Sequence, residues 1–258
     1  MIYEKKQILV TVKAYPNPSR TYGETVCCAG IDLSSYQWIR LYPIPYRDLD
    51  DEQKFRKYSV IEIDCAKAKD DKRPESFKVN PDTIKVSDWL DTKDDWKRRK
   101  AIIRHLPVKS MCQVYREARE NDLSLGFVKP VNISFEFMKR SITDQKTREE
   151  CYAQLSFFNK KKKVIEVIPY HFYYNFQCLH ESGCPGHQLS IIDWEIGQAF
   201  RDWRYRYDDE KKLLEMIQKK WVDVANTDKK DVYFYVGNMK RFRMTFMVLG
   251  VFNPPRIK

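Results

Sequence analysis

Glycine is scarce in this chain, eight in 258 residues, and none of the eight stands in a Gly-x-x-x-x-Gly-Lys or Gly-x-Gly-x-x-Gly loop. The phosphate cradles of ATPases and dinucleotide enzymes are thereby set aside. No Gly-x-Ser-x-Gly elbow is present, and His105 runs directly into Leu106-Pro107, so nucleophilic hydrolysis has no constellation to work with. Long hydrophobic runs are missing too. The stretch from Phe246 to Phe252 is far shorter than the roughly 20 residues of a bilayer span, so no membrane partner is expected. Met1 to Lys6 carries charge but no signal-peptide core follows, because Lys13 and Asn17 arrive at once. The seven cysteines are odd in number and scattered, which argues against a disulfide framework and for a reducing compartment, the cytoplasm. No internal repeat is visible, and the only biased tract is Lys160 to Lys163.

What the chain does have is positive charge and aromatic rings. Lys and Arg exceed Asp and Glu by 47 to 36, a formal +11, which draws polyanions and speeds their encounter. Sixteen Tyr, fourteen Phe and six Trp call for either a ring-packed core or a stacking surface. Basic and aromatic residues interleave at three places. On a strand, Trp38, Arg40 and Tyr42 share one face while Ile39 and Leu41 share the other, with Arg47 close behind. Such a face can stack bases and hold phosphate. The second place is Arg201 to Tyr207, and the third is Lys240-Arg241-Phe242-Arg243; Lys97 to Lys100 adds a basic cluster. Each alone is more often a solvated face or arginine stems lying over core rings; taken together with the net charge, they point to nucleic acid.

The order of patterns is that of an α+β protein. Residues 7–15, 25–31, 36–44, 58–66 and 77–86 alternate apolar and polar or read as short strands, which predicts an OB-like β-barrel over residues 1–90. Acidic residues at Asp91, Asp94 and Asp95 open a helix that Pro107 ends, and a second helix covers Ser110 to Glu120, making 91–122 a helical connector. Residues 123–258 read as a second β-rich domain with one long helix over 192–225, where apolar residues recur at helical spacing and a break is expected near Tyr207 to Asp209. The polar stretch 139–163 reads as an exposed hairpin tip or mobile loop.

Two constellations carry chemistry. Cys178, His180, Cys184 and His187 put two thiols and two imidazoles within ten residues, the composition of a tetrahedral zinc site, with Gly183, Pro185 and Gly186 to make the turns. The spacing is not that of a standard finger, and a remote ligand such as His171 is an alternative. So is a plain loop with Cys178 at a buried strand end. A zinc ion here would be structural. The second constellation is Asp193-Trp194-Glu195. Two carboxylates at a strand end can share a divalent metal, as in a metal-dependent nuclease. They can also cap a helix and sit in its first turn, the simpler reading.

The runs Val26-Cys27-Cys28-Ala29-Gly30-Ile31 and Trp38-Ile39-Arg40-Leu41-Tyr42-Pro43, with Arg73-Pro74-Glu75-Ser76 further on, resemble the dual-OB-domain proteins of prokaryotic mobile and defence loci. Cys28, Ala29, Gly30, Trp38, Ile39 and Arg40 carry the resemblance, which covers the first ninety residues. It implies two small barrels and nucleic-acid binding beside nucleases or helicases. The expected function is therefore binding of single-stranded or structured RNA or DNA through Trp38, Arg40, Tyr42, Arg47, Arg241 and Arg243, without catalysis. The alternatives are a nuclease using Asp193 and Glu195, and an adaptor docked on a larger effector protein.

Overall fold

The structure is a computed structural model that describes residues 2–19, 23–158 and 167–256, with the backbone alone for 17–19, 23–24 and 151–158. It begins with strands β1 (Glu4–Lys13), β2 (Asn17–Ser19), β3 (Gly23–Asp32), β4 (Trp38–Ile44), β5 (Ser59–Lys67) and β6 (Ser76–Trp89). Alternation decides which side chains face inward. Ile8, Val10, Val26, Cys28, Ile39, Leu41, Ile61 and Ile63 fill one core, and their neighbours point out. The strands pair in the order β1-β5-β6-β4-β3, and β1 pairs with β3 to close a five-stranded barrel. β4 and β6 run parallel, the other pairs antiparallel. This is the OB order. The chain is thus α+β with an N-terminal OB-like barrel, as its patterning predicts.

A connector follows: α1 (Lys93–Ile103), β7 (Val108–Lys109) and α2 (Met111–Glu120), the last capped by Ser110, whose hydroxyl accepts from the Gln113 N–H at 2.9 Å. The C-terminal half contains β8 (Leu125–Val128), β9 (Pro130–Lys139), α3 (Ile142–Phe158), β10 (Tyr170–Cys178), β11 (His187–Ile191), α4 (Trp194–Trp203), α5 (Glu210–Val224), β12 (Tyr233–Asn238) and β13 (Phe246–Phe252). Its sheet runs β8-β12-β13-β11-β10-β9, with β7 added alongside β8. Only Lys129 separates β8 from β9, so the strand beside β7 at one end of the sheet and the edge strand at the other are one kinked stretch of chain, and the sheet returns on itself. Counting β8–β9 as one strand, the order and the parallel third-to-fifth pair (β11 with β13) repeat those of the first barrel. The repeat is topological and leaves no mark in the sequence.

The break expected near Tyr207 to Asp209 is present: α4 and α5 divide the helical region 192–225, and Asp209 caps the second by accepting from the Lys211 N–H at 2.9 Å. One expectation changes. The stretch 139–163, read as a loop, contains α3. Ser141 caps α3, and Arg140 and Arg148 flank Asp144 at i±4 spacing, at 2.8 and 3.1 Å. Lys160 to Lys163 lie outside the described residues.

Three apolar layers hold the fold. Phe172, Tyr174, Phe176, Phe234 and Val248 fill the second barrel, which α4 and α5 plug with Ile196, Phe200, Ile217 and Trp221. Between the barrels, Leu9, Val12, Ala29, Ile31 and Val60 from the first meet Leu125, Phe127, Tyr235, Met247 and Leu249 from the second. The outward side of the first barrel is therefore partly covered by the second.

Candidate functional site

Where the cover stops, a cleft begins. The larger of its two cavities, about 400 Å³, is lined by Ala14 and Tyr15 after β1, Thr25 and Cys27 of β3, Arg40, Tyr42 and Pro43 of β4, and Asp70, Asp71 and Arg73 between β5 and β6. In strand order these are the second and third strands with the loops joining one to two and four to five, the face through which OB barrels take oligonucleotides and oligosaccharides. Asn238, Met239 and Lys240 of the second barrel close its far side. The smaller cavity, about 230 Å³, occupies the equivalent place on the second barrel. It is lined by Arg140, Arg148 and Ile168 between the barrel's first two strands, His171 of β10, Ser190 of β11, and Thr245 between its last two strands. Tyr15, Ile192, Met239 and Met247 line both, so the cavities adjoin.

Charge is arranged along the cleft. Asp70 is shared by Lys78 at 2.9 Å and Lys240 at 3.1 Å, one lysine from each barrel; hydrogen bonds from both hold its carboxyl down to about 2. Burial alone would raise Asp71, but Arg73, with an Nη2–H bond at 2.6 Å and two from Nε–H at 3.0 Å, holds it at about 2. The same Arg73 donates across to the Asn238 carbonyl at 3.1 Å. On the second barrel, Arg140 donates to His171 Nε2 at 2.8 Å and to the Ile168 carbonyl at 2.9 Å. Burial, then the cationic Arg140, lowers the His171 pKa, so its imidazole is a neutral acceptor near pH 7.

Tyr15 sits at the seam against Gly197 of α4. A Cβ at residue 197 would stand 2.2 Å from Tyr15 Cδ2. Gly197→Ala should gain about 1 kcal/mol of helix propensity and lose about 1–3 kcal/mol to overpacking. The expected net result is a lower melting temperature, read by thermal denaturation; a higher one would mean the ring moves aside freely.

The residues predicted from sequence separate into three fates. Tyr42 lines the larger cavity, accepting from the Thr25 hydroxyl at 3.2 Å. Arg40 also lines it but is only 3% exposed, donating to the Ser124 carbonyl at 2.9 Å, its hydroxyl at 3.2 Å and Cys27 Sγ at 3.2 Å. Trp38 faces outward as expected, yet it packs edge-on against Tyr235 of the other barrel at 5.9 Å. Arg47, on the 3-10 turn Tyr46–Asp48, lines neither cavity. Arg241 is exposed beside Phe242 on the turn that closes over the cleft, and Arg243 is held by Asp122 at 2.8 Å. Of the basic cluster at 97–100, Arg99 is buried, its guanidinium 3.8 Å from the Tyr58 ring centroid.

Asp193 caps α4: Oδ1 accepts from the Glu195 N–H at 3.2 Å. Its Oδ2 accepts from Lys57 of the first barrel at 2.8 Å, and Glu195 approaches the same ammonium at 3.1 Å. Lys57 thus arrives from the other barrel, and its Nζ, between the two carboxylates, stands where a bridging divalent cation would need to be.

The Cys/His turn gathers a four-atom cluster, but with a different fourth member. Cys112, Cys178, Cys184 and His187 place their ligand atoms within 4.8 Å of one another and could hold a metal ion. His180 corrects the expectation. It takes a left-handed φ of 59° in an exposed turn and stays out of the cluster, because the backbone there directs it to solvent. His171 is engaged by Arg140 instead. Cys112 stands 66 residues before Cys178, with no neighbouring Cys or His to announce it.

Fold and cleft together define a protein of an N-terminal OB-like barrel and a second sheet of the same strand order, with their equivalent faces adjoining. Residues 107–258, more than half of the chain, match the model of a domain of unknown function, DUF8757, and the chain belongs to that family. Residues 4–105 match a second domain of unknown function, DUF8758, so the two matches divide the chain at the connector. No curated protein matches the chain. No helix among the described residues is long and apolar enough to cross a membrane.

Proposed function

We propose that the chain binds a single strand, or the single-stranded part of a structured RNA or DNA, along the cleft joining the two barrel faces. The observation that carries this is the position of the larger cavity. It lies on the strands and loops by which OB barrels hold oligonucleotides, and it opens into the equivalent cavity of the second barrel. Tyr15 and Tyr42 offer rings for stacking, and Lys78, Lys240 and exposed Arg241 offer cations near the opening. Arg40 and Trp38 serve the reading indirectly, by holding the barrels together. Asp193 and Glu195 with Lys57 act as an ion-paired joint rather than a nuclease centre. The proposal extends to the accessory, non-catalytic role in a mobile or defence locus that the resemblance of the first ninety residues implies. For the cation of the Cys/His cluster we propose zinc, which three thiolates and an imidazole select over harder ions.

The test is fluorescence anisotropy of labelled single-stranded DNA, duplex DNA and RNA across a salt series. Each phosphate contacted contributes a log–log slope of about −0.7 on a single strand. Tyr42→Ala should weaken binding by about 5- to 150-fold, since one stacked base is worth about 1–3 kcal/mol. Absence of binding by all three at low salt would overturn the reading, and a salt-independent protein partner would then favour the adaptor.

A further inference from the structure

We infer that Cys112 makes the metal centre a closed clasp, fastening α2 to the β10–β11 hairpin through a four-coordinate structural zinc ion. The inference rests on the zinc reading and concerns what the ion does. A tetrahedral ion about 2.3 Å from sulfur and about 2.0 Å from nitrogen requires S···S separations of about 3.8 Å and S···N separations of about 3.5 Å. The structure has Cys112 Sγ to Cys178 Sγ at 3.9 Å. His187 Nε2 lies 3.5 Å from Cys112 Sγ, 3.3 Å from Cys178 Sγ and 3.4 Å from Cys184 Sγ. Such spacing is too long for a disulfide and fits ligands around one ion. Four protein ligands leave no open position, which marks a structural site rather than a catalytic one.

The surroundings are built for thiolates. The Met111 N–H points at Cys178 Sγ at 3.2 Å, and the Cys178 N–H at Cys184 Sγ at 3.4 Å. Outer-shell donors of this kind orient ligands and tune the metal. Gly183 and Gly186, with φ of 77° and 81°, bend the turn so that Cys184 and His187 both face inward. The turn is also tied to α2 by Glu181, which accepts from the Ser110 hydroxyl at 2.6 Å and from Arg116 at 2.9 Å.

The clasp has reach because of where α2 leads. Four residues past its end, Ser124 accepts from Arg40 and donates to Glu75, both of the first barrel. The Leu123 carbonyl accepts from Asn238. Fixing α2 at its first turn therefore fixes the segment that joins the barrels beside the larger cavity.

The experiment uses the full chain. Metal content is measured by elemental analysis, and zinc is exchanged for Co2+ to read its absorption. One zinc per chain is expected, with tetrahedral Co2+ bands and near-ultraviolet charge transfer of three-thiolate intensity. Cys112→Ser should weaken zinc binding by at least about 10-fold, the lower end of what even outer-shell changes cost, and should reduce hydrogen-exchange protection of the α2 amides. His180→Ala should change neither. A native chain without stoichiometric zinc would overturn the zinc reading itself. Stoichiometric zinc with two-thiolate charge transfer, or with α2 protection unchanged in Cys112→Ser, would leave zinc standing and overturn the clasp. The cobalt spectrum is taken on the unaltered chain, so the inference stays testable if Cys112→Ser does not fold.

Discussion

Lys57→Met is expected to lower the unfolding free energy by about 3–5 kcal/mol at neutral pH, the range for breaking a buried pair from one side. Lys57 and Asp193 are both nearly inaccessible and come from different barrels, with Nζ 2.8 Å from Oδ2. Burial works against the Lys57 ammonium, yet Asp193 and Glu195 beside it raise its pKa. Burial likewise pushes the Asp193 carboxyl up, to about 6, against the attraction of Lys57. Without the lysine, the Asp193 carboxylate keeps the Glu195 N–H as its only hydrogen-bond donor among the described residues, and its charge is left in the joint. Exposed Glu195 contributes little either way. The pH dependence has a definite sign. The folded-state pKa of Asp193 lies above its ordinary value of 3.8, so its contribution to stability is greatest below about 4 and is lost as pH rises through about 6. Removing Lys57 raises that pKa further, so the deficit of the variant should be smaller at pH 5 than at pH 7. Urea denaturation at both values checks this. An unchanged midpoint at pH 7 would mean the pair is not part of the joint, and adding Asp193→Asn should restore much of the loss.

The same ion pair shows how far the sequence could be read. The cap role of Asp193 was open to view, because a carboxylate just before an apolar helical pattern is a local signal. Lys57 was not, because the contact spans 136 residues and two barrels. Strand faces were legible for the same local reason. Ile39 and Leu41 point in and Trp38, Arg40 and Tyr42 point out, as period-two alternation requires. Alternation does not say what covers the outward face, and here the second barrel covers Trp38 and Arg40 while leaving Tyr42 on a cavity. The second barrel was hidden by its own construction. Its first strand is kinked at Lys129-Pro130, and thirty residues with α3 intervene before β10. Barrel topology constrains the alternation of apolar residues and not their identity, so no repeat appears in the letters. In the metal cluster, the glycines and the Cys184 to His187 spacing marked the turn. The choice between His180 and Cys112 depended on a backbone dihedral and on a helix packed from elsewhere, neither of which is local.

Arg40→Ala separates a joint from a phosphate contact. The guanidinium gives two bonds to fully buried Ser124, which also donates to both carboxylate oxygens of buried Glu75, at 3.1 Å from its N–H and 2.7 Å from its hydroxyl. Removing the arginine leaves the Ser124 carbonyl without this donor and takes a cation from the Ser124 hydroxyl that donates to a buried carboxylate. A stability loss of about 3 kcal/mol or more is expected, the scale on which one side of a buried charged network is lost. Arg40→Lys should recover only part of it, because an ammonium cannot reproduce the planar fork that spans Ser124 and Cys27. Strand binding by the folded variant should keep its salt slope. Were Arg40 instead a phosphate ligand, stability would stay within about 0.5 kcal/mol and the slope would become shallower by about 0.7. Denaturation and a salt series on one variant therefore distinguish the two roles, and each role predicts a change in the quantity that the other leaves alone.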